Sequence, residues 1–259
     1  MHAQHMFLYS CELYTSKVLS LICLNSNHFL DIGANRGWYS CLLRTQNPNL
    51  GIYAFEPDST IHSLLVDNLS QFSCTDEVIV IEQMGLGLRD GIAPLATYVE
   101  GNDGMMTLFP QANLEVLSQQ DVQILTLDSY FKMKLDSSGK TRFLLKIDVE
   151  GGEWDVIIGG RDFLTECRPV VVMEINSQLL SPANATSRMI FELMAELGYS
   201  SFWLDERGAI SKVRNFDFPP HETLLGRNHG ANYLFLPGLI SSASAAAEWD
   251  FARHFHWNF

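Results

Sequence analysis

Apolar residues along this chain follow two alternating rhythms: short continuous runs, and longer stretches in which they recur every three or four positions. Leu13, Val18, Leu19, Ile22 and Cys23 form a helical set within the first 27 residues, read as a helix or helix pair. The run at 28–32 then breaks into Gly33-Ala34-Asn35-Arg36-Gly37, after which Trp38, Tyr39, Leu42 and Leu43 continue at helical spacing. This pattern predicts strand, glycine turn, helix. A second strand is expected at 51–55, ending at Glu56-Pro57. Ile61, Leu64, Leu65 and Leu69 mark the next helix, and a third strand follows at 78–81.

Regularity weakens between Gly85 and Asp128. Strands are expected there at 93–99 and 122–127, joined through a mobile link at Gly101-Asn102-Asp103-Gly104. Regularity returns with a strand at 143–149 and a Gly151-Gly152 turn into a helix that begins at Glu153 and stops at Gly159-Gly160. A strand at 170–175 and a helix at 188–197 closed by Gly198 follow. Late strands are expected at 200–204 and 231–236, the second pairing back into the sheet. The serine- and alanine-rich stretch 241–244 is expected to pack loosely.

Strands that alternate with helices and read as apolar runs imply an α/β fold, a mainly parallel sheet covered on both faces. The organisation expected is a helical segment at 1–27, one domain at 28–237 and a tail at 238–259. In such sheets ligands bind outside the carboxyl ends of the strands, where the winding reverses. The chemistry-bearing motifs fall at those ends.

Composition narrows the partners. Lysine and arginine number 17 against 30 acidic residues, a net charge of −13, which disfavours nucleic acid as the main partner. Cys11, Cys23, Cys41, Cys74 and Cys167 are widely spaced, without a C-x-x-C pair, and read as buried small hydrophobes in a reducing compartment. The apolar stretch 18–24 is too short to span a bilayer and lacks a basic leader, so a cytoplasmic location is the expectation.

The sharpest local feature is Asp31-Ile32-Gly33-Ala34-Asn35-Arg36-Gly37. Gly33 and Gly37 permit a tight turn and close backbone approach to a ligand, and the helix beyond offers free N–H groups. A dinucleotide fingerprint would place glycine at 35 and a small residue at 38; Asn35 and the bulky Trp38 stand there instead, against a pyrophosphate seat. An acid ahead of the glycines suits a ligand carrying an ammonium group. Glu56, at the end of the next strand, has the spacing of an acid that grips ribose hydroxyls, accepting both in a bidentate geometry. After the third strand, Met84 falls where it can pack on an adenine ring, with Gln83 at the ring edge.

A second acidic motif is Lys146-Ile147-Asp148-Val149-Glu150-Gly151-Gly152-Glu153. Alternation places Leu144, Lys146 and Asp148 on one face and Leu145, Ile147 and Val149 on the other. Glu153 suits a first helical turn, where an acid complements the dipole. Lys146, within an apolar strand, needs a charged partner. Glu174 and Asn176, ending the neighbouring strand, are expected beside Asp148. Together these acids can serve as a general base or a hydroxyl clamp. A magnesium site is the least favoured use, and no metal ligands are assigned.

With these motifs in order, the chain resembles the FkbM family of methyltransferases. The matching stretches are FLDIGANRGWYS (29–40), IYAFEPDSTIHSLLVDNL (52–69), ILTLDSYF (124–131), LLKIDVEGGEWDVIIGG (144–160) and RPVVVMEIN (168–176). GYSSFWLDERG and ANYLFLPG fit the family's late strands, whereas 238–259 has no counterpart. The resemblance implies a Rossmann-like, seven-stranded class I methyltransferase sheet with a late antiparallel strand. It also implies S-adenosylmethionine as donor and an acceptor hydroxyl on a sugar, polyketide or other small molecule. By that match Asp31, Gly33, Asn35, Gly37 and Glu56 hold the cofactor with Asn68 nearby, Asp148 and Glu150 face the acceptor, and which acid is the base stays open. Two other classes compete: a nicotinamide-dependent oxidoreductase, opposed by Asn35 and Trp38, and a silent nucleoside-binding protein of the same fold. His221 and His229 fall in a loop that would cover the site; His254 and His256 lie in the tail, and none of these is assigned a role.

Overall fold

The computed structural model describes residues 12–72, 78–98, 106–110, 115–132, 141–214, 216 and 230–238. The link at 101–104, the stretch 241–244 and His221, His229, His254 and His256 lie outside these residues.

The N-terminal helix α1 (Leu13–Cys23) is held at its start by Glu206, whose carboxylate accepts from the Tyr14 and Thr15 N–H groups at 2.9 and 3.3 Å. Its apolar stripe of Val18, Leu19, Ile22 and Cys23 is buried in the main core. β1 (His28–Ile32), α2 (Trp38–Gln46), β2 (Gly51–Phe55), α3 (Ser59–Ser70) and β3 (Ile79–Glu82) then wind as a parallel βαβαβ unit. Asp58 starts α3 by accepting from the Thr60 and Ile61 N–H groups at 2.9 and 2.8 Å.

After that unit the chain leaves the sheet to build a small one from β4 (Gly85–Leu86), β5 (Gly91–Thr97), β6 (Met106–Thr107) and β7 (Ser118–Leu125), in the order β4-β7-β5-β6. The strands expected at 93–99 and 122–127 are therefore both present but displaced toward the N-terminus. Thr126 ends β7 because its hydroxyl accepts from the Ser129 N–H at 3.0 Å, capping the short helix α4 (Leu127–Phe131). The main sheet resumes with β8 (Phe143–Ile147). Next come α5 (Glu153–Gly159), α6 (Arg161–Cys167), β9 (Val170–Ile175), α7 (Ser177–Leu180), α8 (Ser187–Glu196), β10 (Tyr199–Asp205), β11 (Ala209–Lys212) and β12 (Ala231–Pro237).

The order across the main sheet is β11-β10-β12-β9-β8-β1-β2-β3. β12 runs antiparallel to both β9 and β10. The sheet therefore has eight strands where seven were expected. The additional one, β11, is a hairpin return from β10 through a turn in which Gly208 (φ +100°) donates to the Asp205 carbonyl at 2.7 Å. Ala209–Lys212 is mostly exposed and lacks apolar alternation, so no periodicity announced it.

Two apolar layers sandwich the sheet. Leu145, Ile147, Val171 and Met173 face α5, α6 and α8, while Leu144, Val170, Val172 and Leu234 face α1, α2 and α3. The charged residues Asp31 and Lys146 pair in register on the second face, both buried among those aliphatics. Burying charge is costly unless it is paired. Their position at the carboxyl end of the sheet marks where the site begins.

Candidate active site

The winding reverses between β1 and β8, and the glycine turn sits at that point. Gly33 (φ +81°) and Gly37 (φ +82°) both adopt left-handed backbone, and Asn35 joins them at φ +49°. The Gly33 and Ala34 N–H groups donate to the Phe55 carbonyl at 3.1 and 2.9 Å, bringing the end of β2 over the turn. A Cβ on Gly33 would lie 1.8 Å from the Asp148 carbonyl oxygen, so the turn packs on bare backbone of the strand beside it. Gly33→Ala combines that collision with a strained φ. It is expected to cost at least about 2 kcal/mol and lower Tm by roughly 4–8 °C, as thermal unfolding would show.

Glu56 closes the turn. Its Oε2 accepts from the Asn35 N–H at 3.0 Å and its Oε1 from the Asp58 N–H at 2.9 Å. Burial, ahead of the nearby charges of Asp58 and Asp31, pushes its carboxyl up to about 7 despite those two bonds. Asn68 of α3 braces the same loop from outside, donating to the Arg36 carbonyl at 2.8 Å.

Glu56, Gly33 and Asn35 line one cavity of about 510 Å³. Gly85 to Ala93, Met106 to Phe109 and Ile124 of the small sheet make one wall. Asp148, Val149, Glu150, Gly152 and Asp155 make the other. Among the expected site residues, Asp31, Gly37, Met84 and Glu174 are not part of this lining. The Asp31 carboxylate turns under α2, accepting from the Ser40 N–H at 3.1 Å and its hydroxyl at 2.6 Å. It is fully buried there, which pushes it up to about 6. Met84 is half-buried against the core and Gln83 points to solvent, so the wall expected from them is built by the following residues, 85–90. Gly37 has a packing role: a Cβ there would meet Leu65 Cδ1 at 2.6 Å.

The second acidic motif folds into a tight turn ahead of α5. Glu150 (φ +52°) lines the cavity and its carbonyl accepts from the Thr107 hydroxyl at 2.7 Å, which ties the small sheet to this wall. Burial, and next Asp148, push its carboxyl up to about 8. Glu153 does more than complement a helix dipole. Its Oε1 accepts from the Gly151 and Val149 N–H groups at 3.1 and 3.3 Å and so shapes the turn. Burial pushes it up to about 7.

Lys146 finds its partner in Asp148, Nζ to Oδ2 at 3.0 Å, and lies 5.5 Å from the Tyr39 ring. Glu174 stands behind Asp148, outside the cavity lining. The charge of Asp148, followed by burial, holds its carboxyl well above the usual range. Asn176 turns away to accept from the Gln178 N–H at 3.1 Å. In its place the structure brings Glu12, whose Oε2 accepts from the Tyr39 hydroxyl at 2.5 Å. No spacing rule connects Glu12 to a strand end 136 positions away in sequence.

This arrangement has relatives. The family model described as Methyltransferase FkbM domain matches residues 31–201 of the 259. The chain is 29% identical over 178 residues to Methyltransferase sdnD from Sordaria araneosa, covering 59% of this chain and 68% of that protein. Among solved structures it is similar to Methyltransferase FkbM from Methylobacillus flagellatus KT. That match has a TM-score of 0.48 at 15% identity over 81% of this chain; it covers 44% of the other, so this chain spans under half that protein's length. An O-methyltransferase from Bacillus cereus in complex with SAH gives a TM-score of 0.47 at 12% identity, over 91% of this chain and 86% of that one. The family match takes in the glycine turn, Glu56 and both acidic strand ends, and the chain belongs to the FkbM methyltransferase family.

Proposed function

We propose that this methyltransferase moves a methyl group from S-adenosylmethionine to a hydroxyl of a small-molecule or glycan acceptor, such as a sugar or polyketide. The observation that carries the cofactor reading is the shared bond and shared cavity of Glu56 and the glycine turn. The residues present fit that group. The cavity lies within the roughly 300–1,000 Å³ of small-molecule sites. Gly33 lets the turn pack on the Asp148 backbone while lining the cavity, and Glu56 uses one acceptor position on each oxygen for backbone, leaving others for two hydroxyls. When bound, S-adenosylmethionine supplies an electrophilic methyl group on sulfur.

Glu56 and the backbone of Gly33 and Asn35 would hold the nucleoside side of the cofactor. Asp31 acts indirectly, fixing α2 beneath the turn. Asp148 and Glu150, on the wall that faces the small sheet, would orient the acceptor hydroxyl and take up its proton. The lining carries Glu56, Asp90, Asp148, Glu150 and Asp155 against Arg89 as its only cation among the described residues. That balance favours neutral hydroxylated acceptors over phosphorylated ones and over nucleic acid.

No helix among the described residues is long and apolar enough to cross a membrane. A labelled-methyl transfer screen over glycans, polyketides and small polyols tests the proposal. Label is expected on oxygen of neutral acceptors and absent from their phosphorylated counterparts. Label recovered on nitrogen or carbon alone would overturn the hydroxyl reading.

A further inference from the structure

On the sheet face covered by α1 and α2, three segments distant in sequence bring carboxylates together. Glu12 precedes α1, Asp148 follows β8 and Glu174 stands near the end of β9. One oxygen from each lies within 4.8 Å of the others. Lys146, with no exposed surface, contacts Asp148 from below. Asn232 of β12 lies directly across the strand pair from Glu174, so its side chain emerges on the same face.

Asn232 is 6% exposed, and its Nδ2 donates to Glu12 Oε1 at 3.3 Å. Its Oδ1 is buried with no hydrogen-bond partner among the described residues. A buried amide oxygen left unpaired is costly and uncommon. It shares a carboxamide with the nitrogen that faces Glu12, so a half-turn of that group exchanges the two atoms and brings the oxygen to the acid cluster.

Charge and donor chemistry agree on what it awaits. Three carboxylates against one ammonium leave two negative charges, which one divalent cation cancels. The donors are all oxygen, three carboxylates and an amide, the set preferred by hard cations. Ligand oxygens about 2.0–2.6 Å from an ion lie at most about 4–5 Å from each other, and this cluster meets that limit.

We propose that Glu12, Asp148, Glu174 and the Asn232 amide oxygen bind one divalent cation of the magnesium, manganese or calcium class, with Lys146 as a fixed countercharge. The binding itself is independent of the methyl-transfer reading; its use rests on that reading. Asp148 also lines the cavity, so a cation held there lies within reach of an acceptor hydroxyl and lowers the cost of removing its proton. Glu12 makes α1 part of the site, because this partly buried acid immediately precedes the helix.

The test is a titration of the EDTA-treated full chain with Mn²⁺, following free Mn²⁺ by electron paramagnetic resonance, beside calorimetric titration with S-adenosylhomocysteine. One Mn²⁺ per chain is expected, with a Kd below about 1 mM. Glu174→Gln and Asn232→Leu should each weaken it at least about tenfold. Lys146→Met, which removes a repelling charge, should strengthen it about tenfold or more, and Mn²⁺ should raise the Tm of that variant.

Asn232→Leu changes no charge, so it remains informative if Glu174→Gln fails to fold. S-adenosylhomocysteine binding without Mn²⁺ binding overturns the cation site and leaves the cofactor reading standing. Mn²⁺ binding that Glu174→Gln weakens, without S-adenosylhomocysteine binding, supports the cation site and overturns the cofactor reading. Equal Mn²⁺ binding in wild type and both weakening variants places the ion elsewhere and overturns the proposal.

Discussion

Glu56→Ala is expected to lose S-adenosylhomocysteine binding by at least about a hundredfold in calorimetry, because it removes the carboxylate positions left for two hydroxyls. The same residue predicts a pH profile. Its folded carboxyl sits at about 7, above the ordinary 4.5, so the fold prefers it protonated while a hydroxyl-bearing ligand prefers it charged. Affinity should therefore fall as pH drops below about 7, approaching tenfold per unit for a single proton.

Stability should run the other way. The contribution of Glu56 is fully present below pH about 4.5 and is lost as pH rises through about 7. Asp58 and Asp31 are the charges that face it, and Asp31 itself titrates near 6. Glu56→Gln separates them: it should flatten the binding profile and remove only the Glu56 share of the stability loss, leaving the shares of Asp31, Glu150 and Glu153. Wild-type affinity in Glu56→Ala would end the assignment of this cavity to an adenosyl cofactor.

Asp148→Asn should leave S-adenosylhomocysteine affinity within about threefold and lower kcat by about 10²–10⁴, the range lost with a positioned proton acceptor. The reason is geometric. The backbone carbonyl of Asp148 forms the floor under Gly33 and is untouched by the substitution, while Asp148 also lines the cavity wall proposed for the acceptor and its side chain holds Lys146. Single-turnover methyl transfer beside calorimetry reads the two effects separately. Equal loss of cofactor binding and turnover would show that Asp148 supports the turn rather than the acceptor.

Much of this site was legible in the chain because its chemistry is local. A strand followed by Gly33, Asn35 and Gly37 specifies a left-handed turn wherever it falls, and an acid after β2 must sit beside that turn once β1 and β2 pair. Alternation placed Lys146 and Asp148 on one face, and the unpaired charge of Lys146 within an apolar strand required a nearby acid. Met84 shows where local reasoning fails. It stands at the right distance after β3, yet the chain's departure into the small sheet moves the cavity wall to the residues that follow.

By itself the sequence determined the winding of strands and helices, the backbone shape of the ligand turn and the types of acid at three strand ends. All of these follow from steric limits and from periodicity over a few neighbouring residues. Tertiary structure alone decided that β11 adds an eighth strand, that Asp31 turns beneath α2, and that Glu12 and Asn232 join Asp148 and Glu174. Those outcomes depend on which remote segments burial presses together. Low dielectric then couples their charges, and neither effect has a period that can be read along the chain.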